Sequence, residues 1–317
     1  MKKELRIGTR DSQLAVWQAT WVQNLLKKAG ASSQLVYIKS EGDIDTVTPL
    51  YQLGVQGIFT KTLDAALLNN RIDIAVHSMK DVPTQMAQGL QQAAVLQRAS
   101  YKDIFVYKNE EDIQSWQLNE DVSNASLSDG LIATSSIRRR AQWLHRYPQH
   151  RFENLRGNVN TRLRKLEESN WNGAIFAAAG LERINVRPQK SIDLDWMLPA
   201  PAQGAIMIAC REGDEESYEA CHQFNHPITA LCTKIERDFL KTLSGGCSTP
   251  ISGLAVMEYA QIVFTGNICS TDGAKKIDIK KIADIEVSEN LGIEAGKEIL
   301  QNGGQAIVEN IREKSLS

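Results

Sequence analysis

Apolar positions along the chain recur with two periods, and the switches between them predict the elements. Residues 5–10 alternate as a strand, and Leu14, Trp17, Gln18, Trp21 and Leu25 then recur at helical spacing. Ser12 is the expected N-cap of that helix and Gly30 its stop, with both tryptophans assigned to the core. Residues 34–39 predict a second strand. From 41 to 57 the periodicity fails, punctuated by Gly42, Pro49, Gly54 and Gly57, which predicts a long loop. Phe59, Leu63, Ala66 and Leu67 mark a helix leading into Ile72-Asp73-Ile74-Ala75-Val76, a β-branched run that reads as a buried strand. This strand is expected to deliver His77, Ser78, Lys80 and Asp81 past its carboxyl end, where Pro83 stops regular structure.

After residues 93–96 and a crossing near residue 100, a second block repeats the pattern. Strands are predicted at 103–106, 131–134, 151–155 and 173–178. Ser135 or Ser136 caps a helix opening with Arg138-Arg139-Arg140, whose apolar side is Ile137, Trp143 and Leu144. Another helix begins near Thr161. Residues 199–204, Pro-Ala-Pro-Ala-Gln-Gly, form a rigid connector, and 205–210 read as a strand returning to the first block. Helical spacing covers 214–224 and 227–243. The remainder predicts strands near 251–258, 261–269 and 276–283, a helix near 286–301 and a last element through Ile311. Alternating strands and helices predict an α/β fold of two lobes joined by two crossings around a cleft, with a small C-terminal α+β domain. The expected domains are 1–100 with 201–218, then 101–200, then 219–317.

Composition narrows the function classes. Of 317 residues 42% are hydrophobic and 23% charged, and the net charge is −2. That balance gives no overall attraction to nucleic acid or anionic membrane, so an anion site must be a local cluster. No apolar run reaches the ~20 residues of a spanning helix. Residues 1–6 enter a strand without an apolar signal region, which predicts a cytoplasmic protein. The cysteines, at 210, 221, 232, 247 and 269, are odd in number and lack C-x-x-C spacing, against a disulfide framework or structural zinc. His222 and His226 have no partner spacing for a metal and read as ordinary polar residues.

The candidate chemistry lies at strand ends, where open α/β sheets bind ligands. Lys80 and Asp81 place a cation beside a carboxylate, while Arg10 and Ser12 occupy a strand-to-helix junction that favours anions. Arg138 and Arg139 sit at the positive end of a helix dipole, an unfavourable place unless an anion shares it. Arg156, Arg162 and Arg183 follow the next strand ends, and guanidinium suits bidentate recognition of carboxylate or phosphate. Gly245-Gly246-Cys247-Ser248-Thr249-Pro250 puts a thiol on a backbone-defined turn.

His77-Ser78-Met79-Lys80-Asp81, Thr134-Ser135-Ser136-Ile137-Arg138-Arg139, Leu155-Arg156-Gly157-Asn158 with Thr161-Arg162, and Gly245-Gly246-Cys247 together resemble the signature segments of the porphobilinogen deaminase (hydroxymethylbilane synthase) family. The likeness runs in order from Arg6 into the C-terminal domain. It implies lobes like those of periplasmic binding proteins, and a monomeric enzyme of heme biosynthesis. It also implies head-to-tail condensation of four porphobilinogen molecules into a linear tetrapyrrole with loss of ammonia. A dipyrromethane cofactor joined to Cys247 by a thioether is implied as primer, with no metal or nucleotide.

By the same resemblance Asp81 is the catalytic carboxylate that stabilises the cation left by ammonia loss, with Lys80 and Arg10 beside it. Asp81, Lys80, Ser78, Thr134, Ser136, Arg138, Arg139 and Arg162 take the cofactor-binding positions. Arg10, Ser12, Arg156, Arg162 and Arg183 take those that bind substrate carboxylates. Glu41, Val47, Gln52 and Gln56 depart from residues common in the family, which predicts weaker hold on intermediates by the 41–57 loop. Ala202 replaces a frequent glycine. A two-lobed binding module for a carboxylated ligand would share the cleft but would have no use for Cys247. A phosphate-ester enzyme would show a P-loop or a metal-carboxylate set, and the sequence has neither.

Overall fold

The computed structural model describes residues 4–39, 60–116, 118, 129–243 and 249–316. By packing, these divide into two units. The first holds the described residues up to Ser100 together with Gln203–Leu231; the second holds Tyr101–Ala202 and Cys232–Ser317.

In the first unit, β1 (Leu5–Thr9), β2 (Ser33–Tyr37), β3 (Ile74–Ser78) and β4 (Leu90–Val95) are joined by β10 (Ile206–Arg211) in the order β2-β1-β3-β10-β4. β1 is parallel to β2 and β3, and β10 is antiparallel to β3 and β4. The return strand therefore lies inside this sheet. The helix Gln13–Lys28 buries Ala19, Val22 and Leu26 against Leu5, Ile7, Ile74 and Ile208. Its buried stripe also includes Ala15 and Gln18. That stripe corrects one expectation: Trp21 is 47% exposed, stacked on Trp17 with ring centroids 5.8 Å apart. At 3.6 residues per turn Trp21 falls off that stripe and so points outward.

In the second unit, β5 (Asp103–Tyr107), β6 (Leu131–Ala133), β7 (Arg151–Glu153), β8 (Gly173–Ala177) and β9 (Ser191–Asp193) run in the order β7-β6-β8-β5-β9. β6 is parallel to β7 and β8, and β5 is antiparallel to β8 and β9. This repeats the first sheet's plan with the antiparallel strand contributed first in the chain rather than last. Alternation along β5 and β8 fills two cores, one on each face. Ile104, Val106, Ala174 and Phe176 face one side; Phe105 and Ile175 face the other, against Trp116 and Trp143. Helices cover both faces, so the strands read as continuous apolar runs.

The same unit contains an antiparallel sheet of β11 (Ile251–Glu258), β12 (Gln261–Cys269) and β13 (Lys276–Asp284). Phe264 of β12 meets Phe239 of the helix Pro227–Thr242 edge to face at 4.9 Å. The helix Leu291–Ile299 and a final helix Gln305–Leu316 complete the segment. The architecture is mixed α/β. No described helix is long and apolar enough to cross a membrane.

Candidate functional site

Each five-stranded sheet has a switch point. In the first, the chain leaves β1 toward β2 and returns to β3 on the opposite side, so the crevice opens beyond the carboxyl ends of β1 and β3. The structure places Arg10 and Ser12 just after β1, and Lys80 and Asp81 just after β3. Ser12 caps the helix Gln13–Lys28, its Oγ accepting from the Ala15 N–H at 3.4 Å. His77 and Ser78 belong to β3 itself, His77 in register with Met207, rather than lying past its end.

His77 is buried, and desolvation followed by the charge of Arg10 pushes its pKa down to about 4, so the ring is neutral at physiological pH. Ser78 is held by Gln18, whose Nε2 donates to Ser78 Oγ at 2.9 Å while Ser78 Oγ donates to Oε1 at 3.3 Å. Lys80 and Asp81 ride on the 3-10 helix Met79–Asp81, both half-buried. The Met79 N–H donates to Ala205 O at 3.0 Å and the Val82 N–H to Met79 O at 3.1 Å, which pins this turn to the return strand. Lys80 Nζ donates to Gln203 Oε1 at 3.2 Å.

In the second unit the corresponding switch falls between β6 and β8. After β6, the buried Thr134 uses its Oγ1 to accept from the Ser136 N–H at 3.2 Å. Ser136 in turn caps the helix Ile137–Arg146, with the Arg139 N–H at 3.4 Å from its Oγ. Arg138 and Arg139 open that helix and are buried. The anion that the helix terminus calls for is supplied from within the chain. Asp103, fully buried at the start of β5, accepts from Arg138 Nη2 at 2.7 Å and from Arg139 Nε and Nη2 at 3.1 and 2.7 Å. Arg138 Nη1 also donates to Leu198 O at 2.7 Å, and Arg139 Nη1 to Ile175 O at 3.0 Å. Two guanidiniums thus share one carboxylate, leaving a positive excess at the helix start. Burial lowers the pKa of Arg138, and Asp103 opposes that shift.

Arg156 is buried just before Gly157, whose φ of +111° makes the sharp turn that a side chain would resist. Asn158 caps the helix Val159–Glu168, accepting from the Thr161 N–H at 2.9 Å, so the helix starts slightly before Thr161. Arg162 Nε donates back to Gly157 O at 2.7 Å. Arg183 ends the short helix Ala178–Arg183 after β8; desolvation lowers its pKa to about 10, with Glu182 opposing, so it stays protonated. Cys247, with Gly245 and Gly246, lies outside the described residues, as do Glu41, Val47, Gln52 and Gln56. The four described cysteines are buried and in no disulfide. Burial pushes Cys210 to about 11 and Cys221 and Cys269 to about 12, which makes them poor nucleophiles.

Sequence reasoning passed over Gln18, Asp103 and Gln203. Gln18 had a signal, a glutamine within an apolar helical stripe. Asp103 had a weaker one, a carboxylate at the head of a buried run. Gln203 had none beyond its place in a proline-rich connector.

The geometry defines an α/β protein with guanidinium, ammonium and carboxylate groups fixed at strand ends of each sheet. The family profile described as "Porphobilinogen deaminase, dipyromethane cofactor binding domain" matches residues 5–219, and "Porphobilinogen deaminase, C-terminal domain" matches residues 230–301. Proteins named porphobilinogen deaminase from Pelobacter propionicus and Geobacter sulfurreducens are 37% and 38% identical to it. Each alignment covers 99% of this chain, with 99% and 96% of the respective relatives. The chain belongs to the porphobilinogen deaminase family, and residues 5–219 are its dipyrromethane cofactor-binding domain. It is accordingly an enzyme of tetrapyrrole biosynthesis. Among solved structures, the methionine binding protein MetQ is 14% identical, with a TM-score of 0.42 over 69% of this chain and 89% of that one. A Salmonella typhimurium periplasmic binding protein with arginine specificity is 11% identical, with a TM-score of 0.40 over 72% and 94%.

Proposed function

We propose that the chain is a cytoplasmic, monomeric transferase that condenses four porphobilinogen molecules head to tail into hydroxymethylbilane, primed on a dipyrromethane held to Cys247 by a thioether. The observation that carries this reading is the family match across both parts of the chain, residues 5–219 and 230–301. In it, residues 1–100 with 201–218 and residues 101–200 act as the two lobes, and 219–317 as the segment carrying the cysteine.

The donor set fits the cofactor. A dipyrromethane bears acetate and propionate groups and pyrrole N–H, and it needs cations in excess of the protein's own anions. At the start of the helix Ile137–Arg146, Arg138 and Arg139 share the single carboxylate of Asp103, which leaves such an excess. Thr134, Ser136, Arg138, Arg139, Arg162, Ser78 and Lys80 would hold the carboxylates, and Asp81 would accept from the pyrrole N–H groups. When bound, the group supplies the pyrrole chain end to which new units are added.

The rest is done by side chains of the chain itself. Arg10, Ser12, Arg156, Arg162 and Arg183 bind the carboxylates of the incoming porphobilinogen and orient it. Each addition breaks the C–N bond of the protonated aminomethyl group and the α C–H bond of the pyrrole it joins, forms a C–C bond between them, and releases ammonia and the α proton. Asp81 stabilises the positive charge that develops as ammonia departs, with Lys80 and Arg10 beside it. The Met79–Asp81 turn, pinned to Ala205, keeps that carboxylate where the charge appears.

The test is the intact mass of the denatured protein beside Cys247→Ser. A mass above the sequence value by two linked pyrrole units, missing from the variant, is the expected result. A protein that stays unmodified after incubation with porphobilinogen overturns the assignment.

A further inference from the structure

Lys80 is aimed by another side chain. Gln203 is 1% exposed, and its Oε1 accepts from Lys80 Nζ at 3.2 Å. An ammonium has donors and no acceptor, so the amide must present its oxygen to Lys80. The backbone of Gln203 is itself held: its carbonyl accepts from Arg98 Nε at 2.8 Å. The next residue, Gly204, has φ +87°, and its carbonyl accepts from the Ala99 N–H at 3.1 Å. A Cβ there would lie 2.6 Å from Ser100 O and 2.8 Å from Ala99 O, so the two chain crossings approach too closely for any side chain. The connector is thus clamped at, and immediately after, the residue whose amide meets Lys80. Two residues further on, Ala205 O takes the Met79 N–H at 3.0 Å. One short segment fixes both the backbone turn that carries Lys80 and the direction of its ammonium.

The choice of acceptor is informative. A carboxylate at this point would neutralise Lys80. An amide orients the ammonium without itself adding an anion beside it, which suits a residue that binds anionic ligands. We infer that Gln203 is a positioning residue for Lys80, directing the ammonium toward carboxylate groups of the pyrrole chain. The inference rests on the proposed role of Lys80 in binding those groups.

The test is a double-mutant cycle on the full chain with porphobilinogen as substrate. Gln203→Met keeps length and apolar volume but removes the acceptor. In the Lys80 protein it is expected to lower kcat/KM about tenfold, and in a Lys80→Met background by less than about twofold. The same factor in both backgrounds overturns the proposal, because a structural defect at the connector would not depend on Lys80. Should Gln203→Met fail to fold, Gln203→Glu decides. It keeps an acceptor of the same size and adds the neutralising charge, so KM is expected to rise about tenfold with the unfolding midpoint retained. An unchanged KM overturns the proposal. If the unaltered protein releases no product from porphobilinogen, the functional reading falls instead, and the two failures are distinguishable.

Discussion

Asp103→Asn probes the arginine helix most sharply. The carboxylate is fully buried and takes three charge-assisted hydrogen bonds from two guanidiniums that are themselves only 6% exposed at their side chains. Asparagine keeps one acceptor oxygen, which can still serve Arg139. It turns an NH2 group toward the Arg138 Nη2 now lying 2.7 Å from Oδ2, so a donor faces a donor. Two buried cations are left with no compensating anion at the positive end of a helix. Removing one member of a buried ion pair costs about 3–5 kcal/mol, against a total stability of about 5–15 kcal/mol for a typical domain.

A built-in control lies next door. Lys102 bridges Asp193 and Asp195 at 3.1 and 2.6 Å, but its side chain is 37% exposed, and such surface pairs contribute about 0–1 kcal/mol. Urea unfolding followed by tryptophan fluorescence reports on the right unit, because the buried Trp143 stands on the same helix as the two arginines. The expected result is a loss of about 3–5 kcal/mol for Asp103→Asn and under about 1 kcal/mol for Lys102→Gln. Adding citrate is expected to restore part of the loss in the Asp103 variant, since an anion can enter where the carboxylate stood. Equal and small effects of the two substitutions would refute the view that Asp103 carries the arginine pair.

Two further outcomes follow from the geometry. Gly204→Ala would place its methyl 2.6 Å from Ser100 O at a φ of +87°, so both a backbone clash and left-handed strain apply, and a loss of at least ~2 kcal/mol in urea unfolding is expected; an unchanged midpoint would sink that account. His77 has its pKa lowered from 6.5 to about 4, so the unfolded chain takes up a proton that the fold excludes within that window. Stability contributed above pH 6.5 is therefore lost as pH falls toward 4, by about 3 kcal/mol, and His77→Gln is expected to flatten that part of the profile; parallel profiles for the two proteins would contradict it.

What could be read from the sequence, and what could not, follows from the range of each signal. The strands β3, β5 and β8 are short apolar runs buried on both faces, and such runs announce themselves locally. The caps Ser12, Ser136 and Asn158 are local too, because each reaches an N–H three residues on. The helix dipole argument at Arg138 and Arg139 asked for an anion, and it could not say whether a ligand or the chain would supply it. Asp103 stands 35 residues away from Arg138, and only strand pairing brings it there. Gln203 is 123 residues from Lys80, and Gln18 is 60 from Ser78. Motif reading finds the charged groups proposed to meet the substrate, since their type is dictated by its chemistry. The neutral amides that aim those groups are dictated by tertiary contacts alone. Gln18 and Gln203 do similar work two residues apart, on Ser78 at the end of β3 and on Lys80 of the turn that follows: each holds a polar head with a neutral amide.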